Sequence, residues 1–206
     1  MDEITTAARD QPVIMVRGSL VGLGPLVHGH IPLYLQWMND PEVTRGLGRS
    51  GPFTLEEEER WYERAASDGR GVTFTIYEVA SGEPIGTCGL HDLNHLNGRA
   101  TFGIAIGDKR YWNRGYGTEA TRLTLDYAFN ILPLRNVMLS VYSFNPRAQR
   151  AYEKAGFRVI GRRRGSVFLA GRQYDEILMD AISEEFQSPF LKAVLEAETP
   201  AAERAQ

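Results

Sequence analysis

Arg110-Tyr111-Trp112-Asn113-Arg114-Gly115-Tyr116-Gly117-Thr118-Glu119-Ala120 decides how this chain is read, because it joins a strand to an amphipathic helix through two glycines. Before it, Ala100 to Ile106 has strand character. After it, Gly117 to Ile131 sets Ala120, Leu123, Tyr127 and Ile131 on one helical face and Glu119, Arg122, Asp126 and Asn130 on the other. Glycines at a helix start let the backbone approach a ligand closely, while the first helical amides have no internal partner. With the positive end of the helix dipole, this makes a pyrophosphate site, to which Arg114 adds a charge-assisted contact. The bare pattern Gly-x-Gly-x-x-Ala also fits a dinucleotide fingerprint. That reading is weaker: the glycines lie well beyond the strand end at Ile106, the following strand to Tyr142 carries no acid for a ribose, and the preceding strands form a meander. A glycine-rich connection with no ligand is the third alternative.

The flanking sequence alternates between strand and helix periods. Val13 to Leu23 reads as a strand. Ile31 to Asn39 reads as a helix that stops at Asp40-Pro41, since a residue before proline is pushed out of the α region. Thr54 caps a second helix, Leu55 to Ala66, with Glu57 completing a capping box. Val72, Phe74 and Ile76 open a meander that continues through Ile85 to Leu90 and, past the hairpin signal Asn97-Gly98, through Ala100 to Ile106. Val137 to Val141 is a nearly continuous apolar run, expected of a strand covered on both faces. Asn145-Pro146 starts a helix with a favoured cap and a first-turn proline, and Gly156 ends it. Strands over Arg158 to Leu169 and Arg172 to Ile182 complete a mixed α/β sheet. The expected organisation is a loose N-terminus, 1–12, one domain, 13–187, and a tail, 188–206, partly helical or disordered.

Composition excludes whole classes of function. The chain has 206 residues, 43% hydrophobic and 24% charged, with a net charge of −3 and a pI near 5.9. That is ordinary for a soluble globular protein and offers no bulk drive toward nucleic acid or an anionic membrane. The single cysteine, Cys88, excludes an internal disulfide and suits a reducing cytoplasm, where it reads as a small core residue. No apolar run approaches the ~18 residues of a spanning helix, and no signal peptide is visible in the first ten residues. His91, Asp92 and His95 share one short stretch, which is weak support for a metal, and none is expected.

A second segment carries chemistry: Asn145-Pro-Arg-Ala-Gln-Arg-Ala-Tyr-Glu-Lys-Ala-Gly-Phe157. Ala148, Ala151, Tyr152 and Ala155 share a helical face, with small residues that leave room for a narrow ligand. From periodicity alone Tyr152 is either a core tyrosine or a proton donor. Together the two segments resemble the GNAT superfamily of acyl-CoA-dependent N-acyltransferases. The family's loop is usually written Arg/Gln-x-x-Gly-x-Gly/Ala, and this chain departs from it with Trp112 at the first position. That departure is similar to the RimJ/RimL and spermidine acetyltransferase branch, as are Trp37-Met-Asn-Asp-Pro-Glu-Val43, Glu56 to Trp61, and Gly103 to Gly107. The resemblance spans about residues 16 to 182.

The resemblance implies an α/β fold: one domain with a mixed, mostly antiparallel, twisted sheet flanked by helices on both faces. It implies acetyl-CoA as cosubstrate, with Asn113, Arg114, Gly115, Tyr116, Gly117 and Thr118 around the pyrophosphate. Ile104, Ala105 and Ile106, on a splayed strand, would bind the pantetheine arm, and an N–H near Ile106 would polarise the thioester carbonyl. Asn145 would cap its helix and touch the pantetheine, and Tyr152 would protonate the leaving thiolate. The acceptor would be a protein N-terminus, a polyamine or another small amine; a homodimer is compatible with the resemblance. Relatives carry a general-base glutamate where this chain has Ser140 or Thr101, and neither is a competent base. His91 is the candidate in their place, with water as the alternative proton carrier. The rival from another class is a CoA-binding sensor or scaffold without catalysis.

Overall fold

In the computed structural model, which describes residues 11–195 apart from 49, 50, 68, 70, 192 and 193, Gly18 divides the first expected strand. The Gly18 N–H bonds the Val21 carbonyl at 2.8 Å, so that β1 (Val16–Arg17) folds back antiparallel on β2 (Val21–Pro25). Val13 to Leu23 is therefore a turn with two short strands rather than one strand, consistent with the weakness of glycine in a strand interior.

Two helices follow, α1 (Ile31–Met38) and the short α2 (Pro41–Thr44), and then α3 (Leu55–Ser67). The capping box at the start of α3 forms as the sequence implies: Thr54 N–H donates to Glu57 Oε2 and Glu57 N–H to Thr54 Oγ1. The meander β3 (Val72–Glu78), β4 (Pro84–Asn94) and β5 (Arg99–Ile106) leads into α4 (Tyr116–Asn130). After that come β6 (Asn136–Tyr142), α5 (Pro146–Ala155), β7 (Arg158–Leu169) and β8 (Arg172–Ile182). The eight strands form one sheet in the order β1-β2-β3-β4-β5-β6-β8-β7, antiparallel throughout except for β5 on β6.

Strand alternation assigns the two faces. Cys88 Sγ on β4 lies 3.2 Å from Thr124 Oγ1, so Phe74, Cys88 and Ile104 look toward α4. On the other face the Tyr34 hydroxyl of α1 meets Thr75 Oγ1 of β3 at 2.7 Å. Helices thus cover both sides, and the buried aliphatic and aromatic core lies mainly between the sheet and α4. Cys88 is a core residue, as expected, its thiol pushed by burial up to about 12.

Two expectations are corrected. In β6 only Val137, Leu139 and Val141 are buried while Met138 and Ser140 are exposed, so the strand is covered on one face. Asp126, assigned to a polar face of α4, is fully buried. Its carboxylate accepts from Ser188 Oγ at 2.5 Å, from Phe190 and Leu191 N–H at 3.0 Å each, and from Asn130 Nδ2 at 2.8 Å. The stretch beginning at Ser188 is thereby fastened to the back of the central helix.

The feature that creates a site is where β5 and β6 part. Parallel pairing covers only Arg99–Asn136, Ala100–Val137 and Thr101–Met138. Beyond it β6 continues against β8 as far as Tyr142–Glu176, while β5 runs on to Ile106 paired with β4 only.

Candidate active site

Hydrogen-bond direction shows what the parted strand offers. The Gly107 N–H bonds the Ile85 carbonyl of β4 at 2.9 Å. In an antiparallel pair the bonding direction alternates residue by residue, so the N–H and C=O of Ile104 and Ile106 point away from β4 into the gap. One of these groups is engaged: the Trp112 indole N–H donates to the Ile106 carbonyl at 2.8 Å. The gap opens into a cleft of about 380 Å³.

The floor and one wall come from the glycine loop. Gly115 caps α4 in a left-handed conformation, φ +89°, that favours glycine, and Asn113 at φ +60° also turns the loop. No side chain caps this helix, and its first backbone bond runs from Glu119 N–H to Gly115 C=O, so the amides of Tyr116, Gly117 and Thr118 have no intrahelical acceptor. Gly117 is not left-handed, and a Cβ there would sit 3.6 Å from Ile106 Cγ1, in space that belongs to the cleft. The Glu119 carboxylate is spent on the N–H groups of Ser19, Leu20 and Val21, pinning the β1–β2 turn beside the loop.

The opposite wall is α5. Asn145 accepts from Ala148 N–H at 3.2 Å and so caps the helix, as its sequence implies. Ala148, Ala151 and Tyr152 face the cleft. The half-buried Tyr152 ring packs edge-on against Phe102 and Phe157, with ring centres 6.2 and 6.1 Å away. Burial pushes its hydroxyl to about 12, Arg147 pulling in the other direction, so it holds its proton throughout the neutral range.

A third wall had no role in the sequence reading. Trp37 packs against Gly107 so closely that a Cβ on the glycine would fall 2.0 Å from the indole Cδ2, which fixes α1 at the end of β5. Asn39 then exchanges two 3.0 Å bonds with the backbone of Phe53, closing the base of the loop that contains α2. Lys109 holds that loop from the far side, 2.8 Å from Asp40 and also bonded to Glu42. Glu42, Val43, Arg45, Gly46 and Leu47 consequently line the cleft.

Of the residues expected at the site, Ile104, Ala105, Ile106, Asn113, Gly115, Gly117, Thr118, Asn145 and Tyr152 all line this cleft. Three do not. Arg114 lies over the Tyr116 ring at 5.6 Å and donates to the Arg110 carbonyl, outside the cleft lining. Tyr116 is buried against Tyr111, so only its backbone is available. His91 is exposed on β4, its imidazole 3.3 Å from where a Gly103 Cβ would stand. Because Gly103 and Phe102 are adjacent on β5, His91 and Tyr152 occupy opposite faces of the sheet. Arg147 was missed altogether: its guanidinium carbon sits 4.0 Å over the Trp112 ring.

The acetyltransferase (GNAT) domain family matches residues 21–158 of the chain. The chain belongs to this family. Spermidine N(1)-acetyltransferase of Escherichia coli strain K12 is 33% identical over 166 residues, 81% of this chain and 88% of the relative. An uncharacterized N-acetyltransferase of Bacillus licheniformis is 28% identical over 155 residues, 73% and 86% of the two chains. Among solved structures, spermidine N-acetyltransferase from Vibrio cholerae, in complex with CoA and spermine, matches with a TM-score of 0.75 at 25% identity, covering 82% of this chain and 98% of that one.

The cosubstrate of this GNAT acetyltransferase is acetyl-CoA, and the residues present fit it. A strand with an unpaired edge, three uncapped helix amides and a glycine-lined approach form a continuous path for an extended amide-bearing arm ending in phosphates.

Proposed function

We propose that this chain moves an acetyl group directly from acetyl-CoA to a primary amine, in one ternary complex and without a covalent enzyme intermediate. The observation that carries the proposal is the parting of β5 from β6 beside Tyr152. Acetyl-CoA supplies the thioester acyl donor when bound. The amides of residues 116–118 hold its pyrophosphate, and the edge of Ile104 to Ile106 aligns its arm as an added strand. The Ile106 N–H, aimed into the gap, donates to the thioester carbonyl as negative charge develops there. Tyr152, protonated at neutral pH, gives its proton to the departing sulfur. The proton that the attacking amine loses leaves through water, because His91 is exposed on the opposite face of the sheet and outside the cleft lining.

The acceptor class follows the relatives of the RimJ/RimL and spermidine acetyltransferase branch: a small amine such as a polyamine, or a protein N-terminus, met in the cytoplasm. No helix among the described residues is long and apolar enough to cross a membrane. The test is acetyl-CoA consumption over a panel of polyamines, N-terminal peptides and amino-bearing small molecules. The expected result is turnover with at least one primary amine. Tight CoA binding with no turnover on any amine would overturn the catalytic reading.

A further inference from the structure

The charges around the cleft are unbalanced. Glu42 is its one acidic lining residue among the described residues and is already bonded to Lys109, while Arg45, Arg147, Arg150 and Lys154 also line it. No salt bridge joins Arg45 or Arg147 to a carboxylate among the described residues, although Arg158, Arg162 and Arg163 each have one and Arg110 has two. Arg147 is moreover held in place. Its guanidinium carbon lies 4.0 Å over the Trp112 ring, and Trp112 is fixed by its own bond to the Ile106 carbonyl. Arg45 lines the same cleft from the α2 wall, and partial burial together with the Arg45 charge lowers the Arg147 pKa. Two guanidinium groups converging from separate walls, neither with an acid, leave a position that an anion would neutralise.

The loop explains why such a position is needed. Its first residue is Trp112 and carries no charge, and its own Arg114 is turned onto Tyr116. We propose that Arg147, stacked on Trp112, and Arg45 across the cleft form a two-sided anion clamp for the phosphates of the acyl donor, supplying the cation that the glycine loop lacks. The inference rests on the proposed use of acetyl-CoA, and it deepens that reading by tying the α2 wall to donor binding. Arg150 and Lys154, farther along α5, extend the basic stripe without the stacking that orients Arg147.

The test is calorimetric titration of CoA into the wild type, Arg147→Met, Arg45→Met and the double variant, repeated at two salt concentrations. A phosphate-free acetyl thioester, S-acetyl-N-acetylcysteamine, is assayed in parallel. Each single substitution is expected to weaken CoA roughly 10- to 100-fold and to flatten the salt dependence. Turnover of the phosphate-free donor should change less than about threefold, since it has nothing for the clamp to hold. Melting temperature without ligand should change little, because each change removes a repulsion while Arg147→Met also gives up the contact over Trp112, so a folding defect is separable. Equal losses with both donors would place Arg147 at the thioester and overturn the clamp. So would unchanged CoA affinity in both single variants. A wild type that binds no CoA at all would instead overturn the proposed donor.

Discussion

The two halves of α4 treat hydrogen bonding in opposite ways. At its start three backbone amides have no intrahelical acceptor, and the neighbouring edge of β5 has no strand partner, with only its Ile106 carbonyl engaged by Trp112 among the described residues. About three turns later Asp126 is fully buried, and its two oxygens accept from four donors, three of them in the segment from Ser188 to Leu191. A buried polar group that is fully satisfied rigidifies its surroundings, whereas open groups beside a cavity await a ligand. The arginines repeat the contrast. On the outer hairpin Arg162 pairs with Asp175 at 3.2 Å and Arg163 with Glu176 at 3.8 Å, while Arg45 and Arg147 at the cleft have no acid among the described residues. Chemistry belongs where the fold leaves its polar groups open, and stability where it closes them.

Substitutions at the two ends should therefore separate function from stability. Tyr152→Phe keeps the ring and its packing on Phe102 and Phe157. Turnover should fall roughly 10²-fold or more, the worth of a positioned acid, with CoA affinity nearly unchanged by calorimetry. Loss of affinity and stability together would make the hydroxyl a structural anchor instead. Asp126→Ala should do the reverse. Leaving the Phe190 and Leu191 amides without their acceptor costs about 2 kcal/mol, read as a Tm lowered by roughly 4–8 °C, while CoA affinity at the far end of α4 holds. A Tm within about 1 °C of wild type would show that the clasp contributes little. The smallest effect belongs to Arg162→Ala. Its pair is exposed at the sheet edge, so chemical denaturation should shift by less than about 0.5 kcal/mol and turnover not at all.

Much of this contrast was legible in the sequence where local rules govern. The capping box of Thr54 and Glu57, the Asn145 cap, the Asn97-Gly98 hairpin and the stop at Gly156 each depend on residues a few positions apart, and each forms as read. Nine of the twelve expected site residues line the cleft, because two motifs bring them. What escaped depends on partners far along the chain. Asp126 carries an ordinary helical signature, and only Ser188, Phe190 and Leu191 reveal why it is buried. Arg114 looked like the loop's cation until its packing on Tyr116 was visible. Arg147 could have been suspected from Trp112, since an uncharged residue at that loop position calls for a charge from elsewhere. The even burial expected of Val137 to Val141 failed because apolar runs do not reveal which face a neighbouring layer covers.

The central claim is that the free edge of β5 receives the acyl donor. Amide hydrogen exchange resolved at Ile104 and Ile106, with and without saturating CoA, tests it most directly. The account predicts that both amides, unpaired across the gap, exchange readily in the free protein and become protected when CoA binds, while Leu139 and Val141, already laddered to β8, change little. CoA bound at saturation with exchange at Ile104 and Ile106 unaltered would contradict it.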